Sequence, residues 1–290
     1  RLNGKIAYAF NLCDEGFGNE ATKELFIPVM LELLGIPYTG AGPQCLSHCY
    51  DKSLIIGIAS KMGIPVPRSL LIQPNQSEIK IPKSTFPVII KPNSGDSSIG
   101  ITQDSVVYDS EQLVNAISKV REKIGYDKPM LVEEFLTGKD LTIGIIGNVP
   151  FDYEIMGISE DDYSDLPEGL PKICGYEAKW DLNSPYAKIR TIPAELTTEQ
   201  KDIIVSSSLD LYDRLGLRDY GRFDWRLDKD GNPRLLEANP NPGWCWDGHL
   251  AKMSQAKGVD YPEMLLRILR AAEQRYNGLI SSRNSLSNVA

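Results

Sequence analysis

The sequence predicts a mixed fold in which a small α/β unit is followed by α+β segments. Residues 5–10 have the pattern of a buried strand, and a glycine-rich turn at 14–18 leads into a helical pattern, which together make one βα unit. Beyond this unit, strands and helices mix without strict βαβ alternation, and Asp230-Gly231 joins two strands as a tight hairpin. The 290 residues are enough for about two compact units, with room for a third small one.

The first part of the chain predicts helices around short strands. Leu25, Val29 and Leu33 recur at helical spacing in a helix predicted over 20–34, which ends at Gly35. The next predicted elements are a strand starting at 38–40, helices over 43–50 and 51–62, a strand over 66–72 and an exposed linker over 73–84.

The middle of the chain predicts a second group of strands. A strand over 88–92 is followed by a polar loop and a return strand over 99–102. Ser110 is predicted to cap a helix that ends near residue 124. Further strands are predicted over 130–136 and 141–146.

The last third is predicted to combine a helix, a hairpin and a terminal helix. Thr197 and Gln200 form a capping box before an apolar helical stripe. The stretch 159–185 is polar and lacks periodicity, which is typical of a functional or disordered loop. The remaining predicted elements are strands over 220–227 and 233–238, a helix over 261–276 and a frayed end over 281–290.

Composition and charge narrow the function classes. The 39 acidic residues exceed the 31 basic ones, and the net charge of −8 argues against a general nucleic-acid binder. No apolar run approaches the roughly 18 residues of a membrane span, so we expect a soluble protein without a membrane partner. Five scattered cysteines, an odd number, favour a reducing compartment. No secretory-signal pattern opens the chain, and a cytoplasmic protein is therefore expected.

Two short motifs indicate chemistry that the rest of the sequence does not support. Cys45, His48 and Cys49 are spaced like metal ligands, but a structural zinc site needs about four ligands and no second pair is suitably placed. We therefore expect two buried thiols beside a histidine on a helix face. The pattern Gly-x-Gly-x-x-Ala at 16–21 lacks the acidic residue of a dinucleotide site about 20 residues on, which disfavours nicotinamide binding.

The hairpin predicts a metal site. If Asp230-Gly231 is a two-residue loop, Asp224 faces Glu237 and Arg222 faces Asn239. All four side chains then lie on one face of the ribbon, because side chains alternate along a strand. Two carboxylates directly opposite each other repel, and a hard divalent cation with oxygen ligands would offset the repulsion.

A second interpretation of the same face stays open. It is a solvated polar surface on which Arg222 neutralises the carboxylates. The other face of the ribbon is apolar and is predicted to be core; it carries Phe223, Trp225, Leu236 and Ala238.

Two lysines are candidates for phosphate contacts. Lys91 ends the strand over 88–92 and precedes the Gly- and Ser-rich loop 93–100, whose N–H and hydroxyl groups can turn towards phosphate oxygens. The alternative is an exposed hairpin tip, and the P-loop pattern is absent. Lys52, at the start of a helix, is a weaker candidate because a lone lysine there is usually solvated.

Several stretches together resemble the ATP-grasp superfamily and, within it, the D-alanine–D-alanine ligases. Their order and spacing extend over nearly the whole chain, to about Gln274. The stretches are 33–40 (LLGIPYTG), 51–52 (DK), 63–67 (GIPVP), 87–92 (PVIIKP), 95–100 (GDSSIG), 132–136 (VEEFL), 176–179 (YEAK), 221–224 (GRFD) and 236–239 (LEAN).

The resemblance implies an ATP-grasp fold in which ATP is held between a central and a C-terminal domain. Residues 1–50 would form a partial Rossmann-like N-terminal domain, 51–134 the central domain and 135–278 the C-terminal domain, with a tail over 279–290.

The resemblance also implies roles for individual residues. Lys52 and Lys91 would bind ATP phosphates, Lys179 would reach the γ-phosphate, and Arg222 would stabilise the oxyanion of a tetrahedral intermediate. The metal ligands would be Asp224, Glu237 and Asn239, holding Mg²⁺ or Mn²⁺. The other implied residues are Ser97, with a catalytic role, and Ser98 in the loop over the phosphates, Glu133, Glu134, Phe135, Leu136 and Leu236 around the adenine, and Asp140 at the ribose.

The implied reaction joins a carboxylate to an amine. The carboxylate attacks the γ-phosphate to give an acyl phosphate and ADP, and the amine then displaces phosphate. The implied partners are ATP and small amino-acid-like substrates, with a homodimer left open. Two alternatives stay open: a ligase for a non-peptide acceptor, and a nucleotide-binding module that does not turn over.

The acceptor end departs from the family pattern. Trp180 stands where a second aromatic hydroxyl is common after Tyr-Glu-Ala-Lys, and Gly248 and His249 stand where a serine and a leucine are usual, downstream of Gly243. The upstream glutamate that orients the first amino acid in the family is absent from this sequence. The bulky, aromatic and histidine-bearing acceptor pocket implies an acceptor other than alanine, either another amino acid or a ring-bearing metabolite. His249 is then either a ligand of that acceptor or a rim residue.

Overall fold

Two antiparallel sheets organise the chain. The computed structural model describes residues 8–13, 18, 20–74, 76, 79, 81–82, 85–95, 98, 100–150 and 152–287, with side chains as far as residue 278. One sheet has four strands and the other has five, and helices cover them. The predicted mixture of helices and strands is confirmed.

The N-terminal helices begin later than the pattern predicts. Residues Ala21–Lys23 form a single 3₁₀ turn, and helix α1 spans only Phe26–Leu33. Helices α2 (Pro43–Cys49) and α3 (Lys52–Lys61) agree with the prediction. Most of the predicted first strand and the glycine-rich turn lie outside the described residues, although Ala9 makes a parallel bridge to Tyr38.

The four-stranded sheet has the order β1-β4-β2-β3, with every pair antiparallel. Strands β2 (Val88–Pro92) and β4 (Met130–Glu134) lie at its centre, and β1 (Ser69–Ile72) is shorter than predicted. The return strand was predicted over 99–102, which is wrong: β3 is Val106–Val107, after a 3₁₀ turn. Two β-branched valines pair with β2 there. Helix α4 (Ser110–Ile124) covers this sheet.

Asp109, not Ser110, caps helix α4. Its carboxylate accepts hydrogen bonds from the N–H groups of Glu111 and Gln112, both at 2.9 Å. Ser110 is already the first helical residue, so the predicted cap is displaced by one position. The carboxylate is also favourable at the positive end of the helix dipole.

We expect Asp109→Ala to lower the free energy of unfolding by about 1 kcal/mol, because two helix N–H groups lose their partner. Ser110→Ala is the matched control and should change it little. Urea unfolding followed by circular dichroism measures both, and an equal loss in the two variants would contradict the assignment of the cap.

The five-stranded sheet has the order β7-β6-β5-β8-β9 and is also antiparallel. Its strands are β5 (Asp140–Asn148), β6 (Asp152–Asp162), β7 (Arg190–Pro193), β8 (Tyr220–Leu227) and β9 (Pro233–Asn239). The sequence pattern missed β6 and β7, because polar residues interrupt their alternation. The predicted loop over 159–185 therefore begins too early, inside β6, and also contains the short helix α5 (Tyr176–Trp180).

The two faces of this sheet carry different side chains. Along β5, Leu141, Ile143 and Ile145 alternate with Asp140 and Thr142. The apolar side chains pack in one core with helices α2, α3 and α6 (Thr198–Leu215). The polar side chains are left for the opposite face, where the cavity described below lies.

Helices α7 (His249–Ala256) and α8 (Tyr261–Ser287) pack at the far end of that polar face. A Cβ atom at Gly144 of β5 would lie 2.8 Å from side-chain atoms of Leu250 and Met253, so α7 approaches the sheet closely only at a glycine. Helix α8 continues past residue 276, where its end was predicted. No helix in the described part of the chain is both long and apolar enough to cross a membrane.

The turn between β8 and β9 is longer than predicted. Asp228 N–H donates to the carbonyl of Asn232 at 2.9 Å, so the loop has three residues, 229–231, rather than the pair Asp230-Gly231. Gly231 occupies the left-handed region with φ of 82°, which glycine adopts at little cost.

A β-bulge restores the predicted register beyond the turn. Trp225 pairs with Leu235, whereas Asp224 pairs with Glu237, and Leu236 is left between them. Leu235 therefore takes the fully buried position. The prediction of Leu236 in the core is wrong: the bulge turns it to the polar face, next to Glu237.

The cysteine prediction is confirmed for the first pair. Cys45 and Cys49 are buried on one face of α2, with their sulfur atoms 3.9 Å apart. His48 lies between them in sequence and is only partly exposed.

Candidate functional site

A cavity of about 190 Å³ lies where the two sheets face each other. Strands β2 and β4 line one side, and β5, β6, β8 and β9 line the other. Most of the residues singled out from the sequence meet there: Lys52, Lys91, Ser98, Glu133, Glu134, Phe135, Leu136, Asp140, Lys179, Arg222, Asp224, Leu236, Glu237, Asn239 and His249. Gly243 and Gly248 are not among the lining residues, and Ser97 lies outside the described residues.

The acidic face of the hairpin has the predicted arrangement. Asp224 lies opposite Glu237 and Arg222 opposite Asn239. Arg222 donates two hydrogen bonds to Asp224, at 3.0 and 2.9 Å. Asn239 donates a third at 2.8 Å. Burial alone would raise the pKa of Asp224, but the Arg222 guanidinium outweighs it and holds that pKa below its usual value.

These residues fit a divalent cation by the chemistry of their donors. Two carboxylates and an amide oxygen are hard ligands of the kind that Mg²⁺ takes. Each carboxylate is neutralised by a nearby cation, Asp224 by Arg222 and Glu237 by Lys52. Within the described residues no larger cluster of His, Cys, Asp and Glu is arranged to hold a metal.

Lys52 connects the two sides of the cavity. Its ammonium lies 2.7 Å from a carboxylate oxygen of Glu237 and donates to the carbonyl of Gly95 at 2.5 Å. The start of α3 holds it there: Asp51 caps the helix through Leu54 N–H, and the backbone N–H of Lys52 donates to the carbonyl of Asn93. A lysine predicted to be the weaker candidate is therefore buried, with 7% of its surface exposed.

Lys91 and Glu133 form a buried ion pair on the four-stranded sheet. Lys91 Nζ lies 2.5 Å from Glu133 Oε2, and only 1% of Glu133 is exposed. The other oxygen, Oε1, has no hydrogen-bond partner among the described residues. A buried carboxylate oxygen without a partner costs about 1–3 kcal/mol, so a ligand group that donates to it would be favoured.

At the β5 end of the cavity, Asp140 has partners that the sequence pattern missed. Tyr163 donates to Asp140 at 2.9 Å and Arg226 at 3.3 Å. The Arg226 guanidinium also lies over the Phe135 ring, 5.1 Å from its centre. Arg226 continues the alternation of Arg222 and Asp224 along β8, which is the signal that could have revealed it.

Asp161 and Cys174 also line the cavity, and the sequence analysis did not identify them as site residues. Asp161 lies directly opposite Asp140 in the β5–β6 register, and both line the cavity. Burial, together with the charges of Asp140 and Asp224, raises the pKa of Asp161 to about 7. Burial and the Asp161 charge raise the pKa of Cys174 to about 12. Recognising Asp161 depends on recognising β6.

The raised pKa predicts a pH-dependent stability for the ligand-free protein. Asp161 binds its proton more tightly folded than unfolded, so its contribution to the free energy of unfolding falls as pH rises from about 4 to about 7. We expect Asp161→Asn to raise the free energy of unfolding much less at pH 4.5 than at pH 8. Urea unfolding at the two pH values tests this, with exposed Asp230→Asn as the control; an equal shift at both would contradict it.

His249, the first residue of α7, lines the cavity near Arg222. Its Nδ1 atom is buried and makes no hydrogen bond within the described part of the chain. Burial, together with the positive charge of Arg222, lowers the pKa of His249 to about 4, so the imidazole is neutral near pH 7. At Gly248 a Cβ atom would lie 2.8 Å from the carbonyl oxygen of Gly243, so this turn has no room for a serine.

The loop after β2 and helix α5 both contribute residues to the cavity, Ser98 and Lys179. Ser98 has φ of 59° and donates to the carbonyl of Cys174 at 3.0 Å, which joins the loop after β2 to the segment before α5. Lys179 of α5 lines the cavity, while its neighbour Trp180 is exposed and stacks loosely on Tyr176.

Comparison with known proteins identifies the family. A sequence model described as "D-ala D-ala ligase C-terminus" matches residues 58–270, well over half of the chain. The chain belongs to the D-alanine–D-alanine ligase family.

Relatives of this ligase family resemble the chain over most of its length. A D-alanine–D-alanine ligase of Methylacidiphilum infernorum is 31% identical over 269 residues, which are 91% of this chain and 78% of that protein. The crystal structure of the Bacillus anthracis D-alanine–D-alanine ligase has a TM-score of 0.70 and 27% identity, covering 87% of this chain and 76% of that one. A structure of the Bacillus anthracis enzyme complexed with ATP is similar in fold, with a TM-score of 0.68 at 24% identity and covering 87% and 75% of the two chains.

The family resemblance and the ATP-grasp fold expected from the sequence are thus confirmed. In this D-alanine–D-alanine ligase family member, most of the stretches that carried the resemblance contribute residues to one cavity, from Lys52 to Asn239. The stretches 33–40 and 63–67 do not line it. The roles of the individual residues are taken up below.

Proposed function

We propose that the protein is an ATP-dependent carboxylate–amine ligase that forms an amide bond through an acyl phosphate. The observation that carries this proposal is the convergence of three lysines and Arg222 with the acidic face of β8–β9 in one cavity. Family membership and the ATP-bound relative support the nucleotide. The relatives named D-alanine–D-alanine ligase support an amino-acid substrate.

In this proposal the nucleotide lies in the cavity between the two sheets. Glu133 to Leu136 and Leu236 surround the adenine. These residues favour a neutral purine, because Phe135 and the leucines are apolar and Glu133 Oε1 is available to accept a hydrogen bond. Asp140 accepts from the ribose hydroxyls. Lys52 and Lys91 bind the phosphates, and Ser97 and Ser98 belong to the loop that covers them.

Asp224, Glu237 and Asn239 hold Mg²⁺, with Mn²⁺ as a substitute. When bound, the metal neutralises charge on the transferring phosphoryl group. Lys52 and Arg222 neutralise these carboxylates in the metal-free protein, and with the metal present they would be available to phosphate and substrate oxygens.

The chain's own cations promote both steps. Lys179 stabilises the γ-phosphate as the substrate carboxylate attacks it, and Ser97 orients the substrate at that step. Arg222 stabilises the oxyanion that forms when the amine attacks the acyl carbon. The loop after β2 and the segment around α5, joined through Ser98, keep water from hydrolysing the acyl phosphate.

The acceptor lies at the end of the cavity near Gly243, Gly248 and His249. Residues 1–50, 51–134 and 135–278 make an N-terminal, a central and a C-terminal domain, and 279–290 a tail. The proposed substrates are small and amino-acid-like, and a homodimer in the cytoplasm is the proposed state of the enzyme.

A phosphate-release screen over pairs of amino acids, with ATP and Mg²⁺, tests the proposal. We expect phosphate and ADP in equal amounts only when a donor and an acceptor are both present, with an amide product found by mass spectrometry. Phosphate release only with a non-peptide amine would favour a ligase that uses a non-peptide acceptor. Nucleotide binding without any release would show an inert module and contradict the proposal.

A further inference from the structure

We propose that His249 selects an acceptor amine that carries a hydroxyl group, such as a serine-like amino acid, over an alkyl acceptor of the same size. The inference deepens the proposed function and rests on it. It follows from one observation: the buried Nδ1 atom of His249, which lines the cavity, has no hydrogen-bond partner among the residues that the structure describes.

His249 supplies the polar contact that the loop 240–249 makes with the cavity. Of these ten described residues, His249 alone is part of the lining. Gly248 cannot bring in a hydroxyl side chain, because a Cβ atom there would lie 2.8 Å from the carbonyl oxygen of Gly243. The imidazole is fixed in place because it begins α7, which packs against Gly144 through Leu250 and Met253.

Two charged neighbours of the imidazole, Arg222 and Asp224, are already paired with each other. Arg222 gives two hydrogen bonds to Asp224, and Thr142 and Asn239 give two more to the same carboxylate. His249 takes part in none of these contacts. The polar group at this end that still lacks a partner in the described structure is therefore the imidazole.

A neutral imidazole donates at one nitrogen and accepts at the other, and a hydroxyl group can do both. A hydroxyl on the acceptor therefore satisfies the ring in either tautomer. A methyl group in the same place would exclude water from the imidazole without forming a hydrogen bond to it. The unpaired polar group would then lower the affinity for the methyl-bearing acceptor.

Serine and 2-aminobutyrate are the probes, because they differ only by a hydroxyl in place of a methyl group. Each enantiomer of each is offered with D-alanine as donor, and kcat/KM is measured by phosphate release. Binding of the same amino acids to the enzyme with ADP and Mg²⁺ is measured by calorimetry. We expect serine of one enantiomer to be preferred by about 10- to 100-fold in kcat/KM, and in the same direction in binding.

The variants His249→Leu and His249→Gln complete the test. Leucine should remove or reverse the preference, and glutamine, which keeps a donor and an acceptor, should retain part of it. Gln255→Ala, on the exposed side of α7, is the control and should behave as the natural enzyme does. A serine preference that persists in His249→Leu, or no preference in the natural enzyme, overturns the inference.

The two proposals fail in different ways. Phosphate release with equal kcat/KM for the two acceptors refutes the role of His249 and leaves the ligase intact. Absence of release with every acceptor refutes the ligase, and the calorimetric comparison of serine with 2-aminobutyrate still decides whether the imidazole distinguishes them.

Discussion

Glu237→Gln is expected to abolish Mg²⁺-dependent ATP consumption, by about 10²-fold or more, while the protein stays folded. The substitution keeps the shape of the side chain but removes the charge that faces Asp224 and pairs with Lys52. ADP formation at several Mg²⁺ concentrations measures the loss. Circular dichroism and the urea midpoint show whether the fold is retained.

Asp230→Asn provides the matched control for Glu237→Gln. It removes one carboxylate from the same hairpin, but at the exposed tip, where the side chain pairs with Lys229. Its ATP consumption should equal that of the natural enzyme. Unchanged turnover in Glu237→Gln would rule out Glu237 as a metal ligand.

Lys179→Ala is expected to suppress phosphoryl transfer far more than nucleotide binding. Lys179 lines the cavity from α5, and the proposed function assigns its charge to the γ-phosphate rather than to the base. A fall in ADP release of about 10²- to 10³-fold is expected, as for loss of one stabilising donor. Titration with ADP should show little change.

Lys188→Ala is the control for Lys179→Ala, since Lys188 is exposed and does not line the cavity. If the two variants lose activity equally, the effect comes from disturbing the segment around α5. If Lys179→Ala weakens ADP binding as strongly as it slows ADP release, the lysine acts on the diphosphate, and the γ-phosphate assignment is wrong.

The arrangement of the acidic face of β8–β9 could be predicted from the hairpin because it depends on register alone. Two errors cancelled there: the turn has one residue more than predicted, and the bulge at Leu236 takes up that residue. Asp224 and Glu237 therefore pair as expected. An alternating sequence pattern does not show where a bulge occurs. Alternation alone therefore predicts Leu236 on the core face.

The rest of the site depends on contacts that are distant in sequence. Asp161 meets Asp140 only because β6 returns beside β5, and β6 has too few alternating apolar residues to be recognised. Lys52 appears in the sequence as an isolated charge, yet α3 and the loop after β2 bury it. Sheet order and burial are set by the whole chain, and a local pattern does not contain them.

The ammonium of Lys52 is shared by a carbonyl of the loop that follows β2 and a carboxylate at the end of the hairpin. One side chain thus connects the loop after β2 with strand β9, which are distant in sequence. Under the proposed function, a phosphate oxygen that attracted this ammonium would leave the Glu237 carboxylate without its neutralising cation. Binding of the phosphates and binding of the metal ion are therefore expected to favour each other.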